Sequence, residues 1–246
     1  MGQARHPQRG CASGEMTPLV LIPGMMCDGR MWGGLPAWLY PREVGHILPT
    51  GTDTVRALAA RALREAPPVF ALAGLSMGGI VAMEILRQAP HRVERLALLD
   101  TNPLAETPQV QAGRAAQIAR ATSGDLAGVM RDEMKPNYLA DGPHRRDILD
   151  LCMDMALRLG PEVFARQSRA LRDRPDQQAT LRRFRGPTLV LMGQHDRLCP
   201  RDRHDLMHAL IPGSRLAIIP GAGHLPTLEQ PAETAVALHH WLEQPL

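Results

Sequence analysis

The chain has 246 residues, 44% hydrophobic and 22% charged, a balance that excludes a disordered chain, a collagen-like repeat and a coiled coil and leaves room for a sizeable core in one or two domains. Twenty-eight basic against twenty-five acidic side chains leave a formal charge of only +3, spread along the sequence, and aromatics are 3%, so nucleic acid is not an expected partner.

Residues 1–16 (MGQARHPQRGCASGEM) carry charge and small polar residues without an apolar core, which reads as a flexible extension rather than a signal peptide. His6 stands where a myristoylation motif needs Ser or Thr. The longest apolar stretch, 69–83, is interrupted by glycines and a serine and falls short of the roughly 20 residues of a membrane span. Cys11, Cys27, Cys152 and Cys199 lie at wide, irregular spacings with no CxxC pair, so reduced thiols in a cytoplasm are expected rather than disulfides or a zinc site.

Residues 18–22 (PLVLI) form a continuous apolar run that ends at Pro23-Gly24, the pattern of a strand buried on both faces. Runs of the same kind follow at 45–48, 69–73, 95–99, 188–192 and 215–219. Helical spacing occupies 53–65, 77–88, 201–211 and 231–242. Strand alternating with helix predicts a mostly parallel sheet flanked by helices, an α/β fold. The alternation breaks between residues 102 and 186, where helical periodicity appears at 109–121, 126–134, 146–159 and 161–173 and no strand pattern does. The expected organisation is a core of residues 17–102 and 187–246 with a helical cap, 103–186, laid over the carboxyl edge of the sheet.

Gly74-Leu-Ser-Met-Gly78 follows one predicted strand and opens a helix, the setting of a GxSxG nucleophile turn. Glycines on either side let the chain close around Ser76, and the helix amino terminus behind it favours developing negative charge. A glycine-rich strand-to-helix turn with an incidental serine is the alternative. A serine hydroxyl needs a base held in one tautomer by a carboxylate. Of ten histidines, His224 (GAGHLPTLEQP) lies after the last predicted strand, at the sheet edge that Ser76 also reaches. His91 enters a strand from the opposite edge, His46 lies in a strand, and His204, His208, His239 and His240 lie on helical surfaces.

Asp196 (LMGQHDRLCP) follows the strand at 188–192 and precedes His224, the order an acid member requires; its other reading is an Asx-type turn residue before Pro200. Asp100, after the strand at 95–99, is the fallback acid, and His195 is expected to point away. The Met25 and Met77 backbone N–H groups are the candidate oxyanion donors. The methionine side chains line an acyl pocket or fill core space; both readings stand. Cys27 reads as a small buried hydrophobe, since no helix start presents it as a nucleophile. No HExxH-type spacing indicates a metal, and serine, imidazole and amides call for no cofactor.

With these residues in hand, the chain resembles the α/β-hydrolase fold family, and more closely its compact bacterial esterase-like members that pair an LIPGMMCD-like segment with GLSMGG. The resemblance runs from about residue 17 to the carboxyl terminus. It implies Ser76 as nucleophile, Asp196 as orienting acid, His224 as general base, the Met25 and Met77 amides as oxyanion hole, and 103–186 as cap. One departure is visible: where many relatives carry a GHGxS-like loop, the strand at 45–48 runs through Pro49-Thr-Gly-Thr-Asp53 straight into a helix. The expected activity is hydrolysis of a small-molecule carboxylic ester or thioester through an acyl-enzyme. A lactonase, C–C bond hydrolase or acyltransferase would share the same motifs, and a small-molecule receptor retaining these residues is the reading from another class.

Overall fold

The computed structural model describes residues 16–246, so the expected N-terminal extension lies outside the described residues except for Met16. Six strands, β1 (Leu19–Ile22), β2 (Val44–His46), β3 (Phe70–Leu75), β4 (Val93–Leu99), β5 (Thr188–Gly193) and β6 (Arg215–Ile219), form one sheet in the order β2-β1-β3-β4-β5-β6, every pair parallel. The six predicted strands are the six observed, within two residues at each end. The order reverses direction at β1, so the crevice between the carboxyl ends of β1 and β3 is a topological switch point, the place where such sheets bind ligands.

Among the described residues ten α-helices accompany the strands: α1 (Leu35–Trp38), α2 (Val55–Glu65), α3 (Met77–Gln88), α4 (Pro108–Arg120), α5 (Leu126–Val129), α6 (Arg145–Arg172), α7 (Gln178–Leu181), α8 (Arg201–Leu210), α9 (Pro226–Glu229) and α10 (Pro231–Leu242). Alternate strand residues serve opposite faces. Val20, Ile22, Leu72 and Val190 pack with α2, α3 and α8, while Leu19, Leu21, Leu189 and Leu191 pack with α1 and α10. Burial on both faces holds for β1, β3 and β5, as the continuous apolar runs require. It fails for β2 and β6, expected to be of the same kind, because each is an edge strand with one flank open to water.

Between β4 and β5 the chain is helical throughout its regular elements. Gly160 adopts φ 80° and ψ 170° and breaks α6 in two, which accounts for the separate periodicities at 146–159 and 161–173. The single expected helix at 126–134 is instead one turn of α5 between π-helical turns at Ala121–Asp125 and Met130–Met134, the first kinked at Gly124. This insertion touches loops at the carboxyl ends of the strands. The Gln167 side chain accepts from Met26 N–H at 2.9 Å and donates to the Pro49 carbonyl at 3.0 Å. The entry and exit of the insertion meet, since Gln177 N–H donates to the Pro103 carbonyl at 2.8 Å, and the Gln177 side chain donates to buried Glu84 of α3 at 2.7 Å. Among the described residues no helix is long and apolar enough to cross a membrane.

Candidate active site

Ser76 sits between β3 and α3 with φ 55° and ψ −117°, a conformation that costs a non-glycine residue about 1–3 kcal/mol and persists only where surrounding contacts impose it. Those contacts are present. Ser76 N–H donates to the Leu99 carbonyl at 2.9 Å, and Thr101 Oγ1 donates to the Ser76 carbonyl at 2.7 Å. A β-carbon on Gly78 would run into the Ile22 carbonyl oxygen, so the second glycine of GxSxG is required by the close approach of β1 to α3.

His224 lies on the loop between β6 and α9, and its Nε2 is 2.9 Å from Ser76 Oγ. Its Nδ1 is 2.9 Å and 3.0 Å from the two carboxylate oxygens of Asp196, on the loop after β5. A carboxylate only accepts, so Nδ1 carries the proton and Nε2 is left to accept from the serine hydroxyl. Burial opposes ionisation of Asp196, but the charge and hydrogen bond of His224 and the N–H groups of Cys199 and Leu198 outweigh it, holding the carboxyl below its ordinary range. A β-carbon on Gly193 would meet the Gly223 carbonyl, so the acid and histidine loops pack backbone to backbone. His195 is exposed and does not line the cavity onto which Ser76 opens.

Asp100, the fallback acid, is fully buried with φ 43°; its Oδ1 accepts from Gly193 N–H at 2.8 Å and its Oδ2 has no partner. Burial, and then the charge of Asp196, push its carboxyl well above the usual range. His204 takes the packed of its two helical readings: it is fully buried on the inner face of α8, its Nε2 without a partner among the described residues, with possible ligand atoms of Asp100, Asp196 and His204 all within 4.8 Å of one another. Asp196, Cys199 and His224 form a second such group, but burial keeps the Cys199 thiol protonated and Asp196 is committed to His224.

Ser76 and His224 open onto a cavity of about 490 Å³ that Met25, Met77 and Cys27 also line. Gly24 is in contact with Ser76, a β-carbon at Gly24 falling 3.4 Å from that of Ser76, which brings the following residue, Met25, beside the nucleophile. Neither Met25 N–H nor Met77 N–H donates to an acceptor among the described residues. Cys27 is buried, and burial first, then Cys152 and Asp28, raise its thiol well above its ordinary value, in keeping with a packing role.

Two residues of the site escape sequence reasoning. Glu229 accepts from the N–H groups of Gly223 at 2.9 Å, Leu225 at 3.0 Å and Ala140 at 2.8 Å, bracketing His224 on both sides. It lies within GAGHLPTLEQP, and a carboxylate five residues after the histidine in a Pro-opened turn is the signal that identifies it. Tyr138 accepts from His224 N–H through its carbonyl at 2.6 Å, and no local pattern announces that contact.

Residues 19–237 match the alpha/beta hydrolase family. The chain belongs to that family. This hydrolase is 28% identical to a pimeloyl-[acyl-carrier protein] methyl ester esterase of Aromatoleum aromaticum, over 89% of this chain and 96% of that one. It superposes on a thermophilic esterase from Thermogutta terrifontis, solved with malate bound, with a TM-score of 0.83 and 28% identity over 94% and 90% of the two chains. An enol-lactonase from Burkholderia xenovorans shares the fold, with a TM-score of 0.82 at 20% identity over 93% and 92%.

Proposed function

We propose that this hydrolase cleaves a small-molecule carboxylic ester or thioester by acyl transfer to Ser76. His224 Nε2 takes the hydroxyl proton as Oγ attacks the carbonyl carbon. The tetrahedral oxyanion is held by the Met25 and Met77 amides, each such donor contributing about 2.7–4 kcal/mol to the transition state. His224 passes its proton to the leaving oxygen or sulfur, and a water activated by the same imidazole then releases the acyl group as a carboxylate. Asp196 holds the imidazole in its working tautomer and stabilises the imidazolium. The insertion 103–186 acts as a cap over the site.

The observation that carries this reading is the unbroken chain Ser76–His224–Asp196, with both links at 2.9 Å, opening on a cavity beside two unoccupied amides. The names of the esterase relatives support it. A fluorophosphonate probe is expected to label the wild-type protein and to leave Ser76→Ala unlabelled, with ester turnover in Ser76→Ala and His224→Ala each reduced about 10⁴-fold or more. Wild-type protein that stays unlabelled and inert toward esters overturns the proposal.

A further inference from the structure

Four arginines line the cavity onto which Ser76 opens: Arg114 on α4, Arg174 just past α6, Arg197 on the acid loop and Arg203 on α8. One carboxylate, Glu106, lines it with them, so the charged wall carries an excess of three positive charges. Glu106 is already fully used. It accepts from Arg114 Nε and Nη2 at 2.7 Å each and from Arg174 Nη1 at 2.7 Å, and all three side chains are largely buried. Arg174 Nε goes to the Leu104 carbonyl at 2.9 Å. The nearest other acid, Asp202, is 3.5 Å from Arg203 Nη1 and mostly in solvent. Burial holds the Arg174 guanidinium below its ordinary pKa despite the Glu106 carboxylate.

The rest of the wall is apolar, with Ile80, Leu104, Val110 and Leu171 among its residues. An uncharged chain filling this space would leave guanidinium N–H groups desolvated and unpaired, which is costly. We propose that the cavity takes an acyl chain whose far end carries an anion, a carboxylate or a phosphate, seated among Arg114, Arg174 and Arg203 while the acyl carbonyl lies at Ser76. The anion belongs to the acyl half, because there it keeps the carbonyl in register through both acylation and deacylation, whereas on the alcohol it would retain the first product. The proposal rests on the Ser76 hydrolase reading and specifies its substrate class.

The test compares p-nitrophenyl esters of unbranched monocarboxylic acids with mono-p-nitrophenyl esters of adipic, suberic and sebacic acids of matching length, and with ω-phosphate acyl esters. The expected result is a kcat/KM for an anionic chain at least about tenfold above its neutral counterpart, as for a charge-assisted bidentate contact. The ratio is expected to shrink with added salt and to fall in Arg174→Gln and in Arg203→Gln, the second of which leaves the Glu106 cluster intact. A larger preference for phosphate than for carboxylate identifies the anion; either preference supports the proposal. If neutral chains are cleaved as well as anionic ones while the fluorophosphonate still labels Ser76, the anion site is overturned and the hydrolase reading stands. If no ester turns over and no label enters, both fall.

Discussion

Asp100 and Asp196 share one buried corner between β4 and β5, yet their surroundings push the two carboxyls in opposite directions, and their expected roles separate on that account. Asp196→Asn is expected to lower kcat about 10⁴-fold, because an amide can present its N–H to His224 and select the wrong tautomer. Asp100→Asn keeps the acceptor for Gly193 N–H and is expected to retain turnover within about tenfold of the wild type, since Asp100 bonds to the backbone and not to the imidazole. Its effect is on stability. Folding raises the pKa of Asp100 above that of an unfolded chain, about 4, so the wild type loses stability as pH rises from there toward the elevated folded-state pKa. The Tm of Asp100→Asn relative to wild type is therefore expected to increase between about pH 5 and pH 8 in thermal unfolding scans, and a constant difference counts against a buried proton. That Ser76, Asp196 and His224 come together was legible because each follows a strand on a short loop with a local signature. Gln167 was not, because its partner Met26 lies 141 residues away in sequence and no local period encodes that pairing; Glu229 carried a local signal beside His224, and only its bond to Ala140, 89 residues away, was hidden.

At the scale of elements, apolar runs located the strands; burial on two faces accounts for the runs of β1, β3 and β5, while the edge strands β2 and β6 kept short apolar runs without it. The four-residue helices α1, α7 and α9 went unread, being too short to show a 3.6-residue period. The break in α6 was visible as Gly160-Pro161, whereas the π-helical turns around α5 reflect tertiary packing that propensity does not carry. Gln167 ties α6 to the loops after β1 and β2, and the Met26 N–H it accepts from is adjacent to the Met25 amide. Gln167→Leu is expected to lower kcat by up to about a hundredfold through misplacement of that amide, with a smaller change in KM and slower fluorophosphonate labelling in parallel. Unchanged kcat would mean that the loop keeps its position without the clamp.

Across the whole molecule, stability and chemistry occupy different sides of the sheet edge. Trp241 on α10 is fully buried, its Nε1 donating to the Pro187 carbonyl at 3.1 Å, and it does not line the cavity. Trp241→Ala is expected to cost about 3–5 kcal/mol in urea unfolding while the folded fraction labels at Ser76 at the wild-type rate. Loss of labelling in protein that is still folded would show that α10 reaches the site. The meeting of Pro103 and Gln177 bears on the history open to such a chain. A segment whose two ends touch can be exchanged by recombination or an engineer through one narrow gate, provided the newcomer supplies again the grips on Met26, His224 and Glu229 that Gln167, Tyr138 and Ala140 supply here.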